Sequence, residues 1–246
     1  MRHLLLSDIH GNLPAFRAVM EDALGRGFDR VLFMGDAVGY YPDGDAVITA
    51  LKKLEAQAVR GNHDVWILDP EFLAREGTIP QVLRWQLEHL SPENLEYLKN
   101  LPWERLAPGY HQVHGSPCDP WVYIDDLEPA REALGCSDRP WILIGHTHLA
   151  GIFMAIEGPK GPWIRYQGFL EEENHVALGP KARAILNPGS VGQPRDGLPL
   201  AAYAIWDDEA REVWAYRVPF DLLEVRRRIK EAGFPMTLYE RLRVGR

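Results

Sequence analysis

Polar side chains that can bind metal ions follow several predicted strands of this 246-residue sequence. The clearest example is Gly61-Asn62-His63-Asp64, where an amide, an imidazole and a carboxylate come directly after the apolar residues 56–59. Because burying adjacent polar side chains without partners is costly, these are expected to face a ligand. Four more such motifs follow apolar runs: Asp8-Ile9-His10 after residues 4–6, Gly35-Asp36 after residues 31–34, His114-Gly115 after residues 110–113, and Gly145-His146-Thr147-His148 after residues 141–144.

The residue types in these motifs are those of a divalent-metal site. Asp8 and His10 are two residues apart, as are His146 and His148, so in extended backbone each pair points to one side and can hold one ion. Two carboxylates, one amide and four imidazoles are too many for one tetrahedral ion and suit two borderline divalent ions, with Asp36 as the bridging ligand. Each motif alone is more often a turn or a surface feature, whereas five together favour a site. Positive φ and close approach are expected at the adjacent glycines, Gly11, Gly35, Gly61, Gly115 and Gly145.

The elements that position these motifs are predicted to be strands alternating with helices. The first 60 residues indicate a β-α-β-α-β order, with Asn12 capping the first helix, and this alternation implies a parallel sheet. Sites in such sheets form outside the carboxyl ends of the strands, where the motifs lie. Short strands from residue 151 onward, joined by turn-length connections, predict a second, antiparallel sheet. With no internal repeat or low-complexity linker, residues 1–246 are expected to form one domain.

Composition and charge argue against several classes of protein. No run of about 18 apolar residues is present, so no membrane span is expected. The N-terminus leads directly into a strand, so a cytoplasmic location is expected. The net charge of −8 argues against broad binding of a nucleic-acid polymer, but not against a small phosphate ester bound by local cations. Cys118 and Cys136, which form no CxxC motif, are interpreted as reduced thiols.

Together the five motifs resemble the signature of the calcineurin-like metallophosphoesterases, and the short chain is similar to their small bacterial and archaeal phosphodiesterase branch. The resemblance extends from Asp8 to about Gly197 and includes the loop at residues 187–192. It implies an α/β fold, a four-layer αββα sandwich with two mixed β-sheets flanked by helices, and a binuclear metal centre. One ion is implied to take Asp8, His10 and His148, the other Asn62, His114 and His146, with Asp36 shared and an exchange of His146 and His148 left open. The mixed ligand set tolerates Mn, Fe, Co, Ni or Zn.

The same resemblance implies hydrolysis of a phosphate ester, with a phosphodiester as the favoured substrate. A water between two divalent ions has a lowered pKa and supplies the attacking hydroxide. His63 is expected to stabilise the phosphate or to protonate the leaving alkoxide, with Asp64 holding its ring in the useful tautomer. Three further residues are candidates for substrate binding, Asn12, Tyr40 and Arg195, of which the last is suited to bidentate phosphate contact.

Other functions stay open on the sequence alone. A non-catalytic metal-binding scaffold of the same fold is disfavoured by the histidine after Asn62, and a nuclease is disfavoured by chain length and acidic charge. A phosphomonoesterase or protein phosphatase is not distinguished from a phosphodiesterase. Association into a homo-oligomer through an exposed sheet edge is also open. Four aromatic residues near ligand positions are either base-stacking groups or rim packing, namely Tyr40, Tyr41, Trp121 and Tyr123.

Overall fold

The computed structural model describes residues 1–156, 158 and 163–246 of the chain. Its strands are β1 (Arg2–Leu6), β2 (Arg30–Phe33), β3 (Gln57–Ala58), β4 (Glu104–Leu106), β5 (Tyr110–Val113), β6 (Trp141–Leu143), β7 (Gly151–Ile156), β8 (Trp163–Gly168), β9 (Glu173–Ala177), β10 (Arg183–Asn187), β11 (Ala201–Asp207) and β12 (Glu212–Val218). Its helices are α1 (Leu13–Arg26), α2 (Gly44–Lys53), α3 (Asn62–Trp66), α4 (Pro70–Leu73), α5 (Thr78–His89), α6 (Pro92–Lys99), α7 (Leu127–Gly135), α8 (Leu222–Glu231) and α9 (Thr237–Leu242). Within these ranges, none of the helices has the length and apolar character needed to cross a bilayer.

Two mixed β-sheets form the centre of the fold. The first has the strand order β3-β2-β1-β11-β12-β9, and the second has the order β4-β5-β6-β10-β7-β8. In the first sheet β1, β2 and β3 are parallel, and β11 pairs antiparallel with β1. In the second sheet β6 is parallel to both β5 and β10. The parallel strands of each sheet therefore bring their carboxyl ends to one edge.

Alternate residues of the central strands divide between apolar layers. Leu5 of β1 packs between the two sheets in one cluster with Trp141 of β6. Leu4 points the other way, into the cluster that contains Phe16 of α1. On the second sheet, Ile142 belongs to an outer cluster with residues of α7. Helices thus cover the outer faces of both sheets, and the predicted αββα sandwich is confirmed.

The first helix begins where the sequence predicts, because Asn12 caps it. Asn12 Oδ1 accepts a hydrogen bond from Ala15 N at 3.2 Å, and Pro14 lies in the first turn. Gly27 follows the last turn with a φ of 77°, which glycine adopts at little cost. The cap fixes the short loop from β1 to α1, which carries the first motif.

The prediction that the late strands form one antiparallel sheet is wrong. β9, β11 and β12 extend the first sheet, and β10 lies in the second sheet with β6 as a parallel neighbour. The reason is visible in β11, in which residues 201–206 are all buried, because it is a central strand packed on both faces. A turn-length connection shows that a strand follows closely in the chain, but not which sheet it joins.

The interpretation of the two cysteines as reduced thiols is also wrong. Cys118 and Cys136 form a disulfide, with their Cα atoms 5.4 Å apart. Cys118 lies in the loop after β5, and Cys136 is the residue that follows α7. Because α7 folds back on that loop, two cysteines separated by 18 residues become neighbours without any local motif.

Candidate metal centre

The structure brings the seven predicted metal ligands together at the carboxyl ends of strands from both sheets. Each is buried, with at most 6% of its surface exposed. In chain order they are Asp8 and His10 after β1, Asp36 after β2, Asn62 at the start of α3, His114 after β5, and His146 and His148 after β6. The site therefore lies where the edges of the two sheets meet, as the strand-end pattern indicates.

The backbone at these positions is left-handed rather than extended, so the expected explanation of the two-residue spacing is wrong. Positive φ values of 52° to 67° occur at five of the residues, Asp8, His10, Asp36, His146 and His148. A non-glycine residue adopts such a φ at a cost of about 1 to 2 kcal/mol. Hydrogen bonds hold it here, including Asp8 N to Gly35 O at 3.0 Å and His10 N to Asp36 O at 2.9 Å. Backbone strain of this kind concentrates at functional sites.

The glycines beside the motifs serve the two predicted purposes at different positions. Gly11 and Gly35 have positive φ values of 69° and 94°. Gly61, with a φ of −99°, instead allows a close approach, because a Cβ there would overlap the Asp36 carboxylate. The absence of that Cβ lets Asp36 reach the centre.

The rings of His10 and His148 face each other in a geometry that suits a cation between them. Nδ1 of His10 lies 2.9 Å from Val38 O, and Nδ1 of His148 bonds to Gln193 O. Because a ring nitrogen that faces a carbonyl oxygen must donate, Nε2 carries the lone pair in each neutral ring. The two Nε2 atoms are 3.1 Å apart, and His148 Nε2 is 3.2 Å from Asp8 Oδ1. Lone pairs and a carboxylate oxygen repel at this separation unless a proton or a metal ion lies among them.

His114 repeats this arrangement on the other side of the centre. Its Nδ1 donates to Met34 O at 2.6 Å, while its Nε2 is 3.1 Å from Asn62 Oδ1 and 3.4 Å from Asp36 Oδ2. Asp8 Oδ1 is buried and has no hydrogen-bond partner within the described ranges. An orphaned carboxylate oxygen surrounded by imidazole nitrogens fits a divalent cation.

Electrostatic effects among these groups in the metal-free protein also favour the binding of a cation. Burial acts to raise the pKa of Asp8, but His148 and His114 outweigh it and the pKa of Asp8 is lowered. Burial acts likewise on Asp36, whose pKa is held well below its usual range by His114 and His63. The pKa of His114 is raised to about 9 by Asp36 and Asp8, against the effect of burial. In the metal-free protein the two carboxylates are therefore ionised beside a protonated His114, and a bound cation would take the place of that proton.

Among the residues that the structure describes, three sets of His and Asp side chains have ligand atoms within 4.8 Å of one another. The first, Asp8, His10 and His148, matches the set expected for one ion. The other two are Asp8, Asp36 and His114, and His10, Asp36 and His63. The residues fit divalent metal ions. Asp8, His10 and Asp36 each belong to two of the sets, so the sharing of Asp36 between two ions stays a prediction.

His146 lies beside these sets without belonging to one of them. Its Nε2 is 3.2 Å from Trp121 O, which leaves Nδ1 as the lone-pair nitrogen of the neutral ring. Burial and the neighbouring His114 lower the pKa of His146 to about 4. The two rings lie with their centroids 4.8 Å apart. Metal ligation by His146 therefore stays a prediction, with Nδ1 as the available atom.

His63 lies in contact with the centre and has an unused ring nitrogen. Its ring centroid is 4.6 Å from that of His10, and its backbone N donates to Asp36 Oδ1 at 2.8 Å. Burial lowers the pKa of His63 to about 4, although Asp36 opposes this effect. Its Nδ1 is buried and without a hydrogen-bond partner within the described ranges. The ring is therefore neutral at pH 7, with one ring nitrogen that has no hydrogen-bond partner within the described ranges.

The Asp64 carboxylate contacts backbone N–H groups, and its predicted effect on the His63 tautomer stays a prediction. Its carboxylate accepts hydrogen bonds from four backbone N–H groups, those of Asp36 (2.8 Å), Gly61 (3.0 Å), Ala37 (3.0 Å) and Val38 (3.3 Å). Burial and the nearby Asp36 raise the pKa of Asp64 to about 7, against the effect of the N–H donors. Asp64 therefore joins the two loops that carry Asp36 and His63.

The three candidate substrate-binding residues differ in their surroundings. Arg195 Nη2 donates to Tyr40 Oη at 2.9 Å, and the Tyr40 ring lies 4.5 Å from that of His10. Both side chains therefore lie beside the centre. Asn12 Oδ1 caps α1 and its Nδ2 donates to Gly192 O at 2.8 Å. Because both ends of its amide are engaged within the protein, the contacts of Asn12 support a positioning role.

Sequence reasoning missed the polar groups that hold the ligands in place. Ser7 Oγ donates to Asp8 Oδ2 at 2.6 Å, and Ser190 Oγ donates to Asp8 O at 2.8 Å. Asn187 Nδ2 donates to Gly145 O at 2.7 Å. The only sequence signals were the position of Ser7 directly before Asp8 and the polar loop at residues 187–192, which the structure puts against the centre.

Comparison with known proteins agrees with this geometry. The family model described as calcineurin-like phosphoesterase superfamily domain matches residues 1–211. The crystal structure of a metallophosphoesterase from Sphaerobacter thermophilus is 32% identical, with a TM-score of 0.85, and the match covers 100% of this chain and 99% of that chain. An uncharacterized protein of Methanocaldococcus jannaschii is 30% identical, over 98% of this chain and 97% of the relative. A hypothetical protein from Pyrococcus horikoshii OT3 shares the fold at 22% identity and a TM-score of 0.78, over 100% of this chain and 98% of that chain. The chain belongs to the calcineurin-like phosphoesterase superfamily.

Proposed function

We propose that the protein is a metal-dependent phosphodiesterase that acts on a small phosphate ester at the centre formed by Asp8, Asp36 and the surrounding histidines. The observation that carries the proposal is the pair of Nε2 atoms of His10 and His148, 3.1 Å apart beside the unpaired Asp8 Oδ1. These atoms fit a divalent ion, and the second group around His114 fits another. Two bound divalent ions would supply an activated water and neutralise charge on the phosphate.

His63 is suited to act on the substrate from beside the metal ligands. Its neutral ring lies 4.6 Å from the ring of His10. Its Nδ1 packs against Gly39, where a Cβ would overlap that nitrogen, so the glycine gives the ring room beside the centre. An incoming phosphate anion favours the charged form of a nearby imidazole, so substrate binding raises the pKa of His63. The ring can then hydrogen-bond the phosphate or pass a proton to the leaving alkoxide, a contribution on the order of 10² to 10⁴ in rate.

Arg195 is suited to bind the phosphate. Its guanidinium donates to Tyr40 Oη at 2.9 Å, and the Tyr40 ring lies 4.9 Å from that of His63. A guanidinium held at this position has further N–H groups available for bidentate contact with phosphate oxygens. A small anionic ester is therefore the proposed partner, and the net charge of −8 disfavours a nucleic-acid polymer.

The test is a panel of diesters and monoesters offered to metal-stripped protein that is resupplied in turn with Mn, Fe, Co, Ni and Zn. Bis(p-nitrophenyl) phosphate and p-nitrophenyl phosphate form a matched pair with the same leaving group. We expect hydrolysis of the diester to return with at least one ion, and to exceed hydrolysis of the monoester. The reverse preference would make the protein a phosphomonoesterase. Inactivity with every ion, in protein that binds metal, would support a non-catalytic scaffold.

A further inference from the structure

Three aromatic side chains lie beside histidines of the centre and form one surface, here called the aromatic wall: Trp66, Trp121 and Tyr123. The Tyr123 ring stacks on that of His146, with centroids 4.0 Å apart and planes inclined by 7°. The Trp66 ring lies 5.0 Å from that of His63. Trp66 and Trp121 are nearly parallel, at 19° and 6.3 Å. The wall is therefore continuous with the centre.

The segment that carries Trp121 is anchored on two sides. Trp121 O is 3.2 Å from His146 Nε2, and Trp121 N donates to Asp119 Oδ1 at 3.0 Å. The disulfide from Cys118 ties the same segment to Cys136 at the end of α7. These contacts hold the wall at a fixed position relative to the proposed metal ligands.

The wall leaves large apolar rings open to solvent. Trp121 and Tyr123 are each 44% exposed. Trp103, which is 40% exposed, packs edge-on against Trp121 with centroids 5.7 Å apart and extends the surface outward. Contiguous exposed aromatic rings beside a polar site are typical of a binding surface.

A cation lies between the wall and the centre. Arg195 donates to Tyr40 Oη at 2.9 Å, and its positive charge interacts favourably with the Tyr123 hydroxyl. A ligand that carries both a phosphate and a planar apolar group can therefore bind at this place. Its phosphate would contact the guanidinium and the metal centre, and its planar group would contact the wall.

We propose that the aromatic wall binds a planar aromatic group attached to the phosphate, so that the substrate is an ester of a nucleoside or of a simpler aryl group. This inference rests on the proposed function, because the centre must bind the phosphate. Stacking of a base on aromatic side chains strengthens binding by a factor on the order of 5 to 150. An aromatic phosphate is therefore expected to bind more tightly than its non-aromatic counterpart by such a factor.

The test measures binding by calorimetry, so it does not depend on turnover. Protein supplied with Mn or Zn is titrated with two matched pairs: adenosine 5′-monophosphate against ribose 5-phosphate, and phenyl phosphate against methyl phosphate. Trp121→Leu removes the ring, and Trp121→Phe restores one. Trp163→Leu serves as the control, because Trp163 is 78% exposed on β8, outside the wall.

We expect wild type, Trp121→Phe and Trp163→Leu to prefer the aromatic member of a pair, and Trp121→Leu to lose most of that preference. A preference confined to the first pair identifies a nucleoside, and one confined to the second identifies an aryl group. Wild type without preference in either pair would overturn the proposal, as would a preference that Trp121→Leu retains. A wild-type dimer in sedimentation that Trp121→Leu dissociates would assign the wall to a second copy of the chain and would also overturn it. Diester hydrolysis by wild type is measured separately, so failure of the wall and failure of the proposed function are distinguishable.

Discussion

The Nε2 atoms of His10 and His148 lie 3.1 Å apart, although the two residues are 138 positions apart in the sequence. Each ring is fixed from behind by a backbone carbonyl oxygen, that of Val38 or Gln193, so each directs a lone pair into the same small space. Two lone pairs that face each other repel in an empty interior, whereas both are stabilised when a cation lies between them. The relationship explains why ligands from both sheets converge.

Asp64→Asn is expected to lower the free energy of unfolding by about 2 to 4 kcal/mol. The wild-type carboxylate oxygens accept hydrogen bonds from backbone N–H groups, whereas the amide NH2 of asparagine would face some of those N–H groups and leave them without an acceptor. Urea unfolding measures this change. Asp138→Asn, at an exposed carboxylate, is the control and is expected to change little. Unchanged stability combined with lost turnover would instead support a role for Asp64 in fixing the His63 tautomer.

His63→Gln is expected to reduce kcat by a factor on the order of 10² to 10⁴ with little loss of metal, because the substitution removes the ring that would act on the leaving group. Diester hydrolysis and elemental analysis of the same preparation measure the two effects. The matched control is His175→Gln, at a ring that is 47% exposed. Undiminished turnover would refute the assignment, and parallel loss of metal would make His63 a ligand.

Replacing Cys118 and Cys136 together by serine is expected to lower the free energy of unfolding by about 2 to 4 kcal/mol, because the disulfide restricts the unfolded chain. Urea unfolding with and without a reductant measures this loss. Reductant is expected to destabilise wild type by a similar amount and to leave the variant unchanged. Wild type that is insensitive to reductant would show that the bond contributes nothing.

Asp45 is expected to make stability dependent on acid pH. Burial acts to raise its pKa, but hydrogen bonds from Ser91 N (2.7 Å) and Asn94 Nδ2 (2.8 Å) outweigh it, so the folded-state pKa lies below the ordinary value of 3.8. The stabilising contribution is therefore fully present above pH 3.8 and is lost as the pH falls through the folded-state pKa.

Urea unfolding of wild type and Asp45→Asn, from neutral pH down to about pH 3, measures this dependence. The difference in unfolding free energy is expected to be largest at neutral pH and to shrink at the acid end. Asp138→Asn again provides the comparison, because its carboxylate is 83% exposed. A difference that stays constant over the whole range would contradict the linkage.

The class of fold and the location of the site could be predicted from the sequence, because both depend on local patterns. Apolar runs that end in Asp8, Asp36 or His114 define strands whose carboxyl ends carry ligands, and strand alternation with helices defines their direction. The start of the first helix could also be predicted, because the cap formed by Asn12 depends only on the next three residues.

Features that depend on contacts distant in sequence could not be predicted in this way. The pairing of β11 with β1, the disulfide between Cys118 and Cys136, and the hydrogen bonds of Asp64 to the Asp36 loop all form between segments that local patterns do not connect. The left-handed φ of Asp8 and His10 was missed for a related reason, because hydrogen bonds to neighbouring loops impose it on residues that rarely adopt it alone.

The most direct test of the metal centre is elemental analysis of protein that has been stripped, reconstituted with Mn or Zn and washed. Wild type is expected to retain about two ions per chain, and Asp36→Asn, which alters the proposed shared ligand, to retain fewer. Asp138→Asn is expected to match wild type. Wild type that retains no ion, or that retains ions in a number unaffected by Asp36→Asn, would contradict the account.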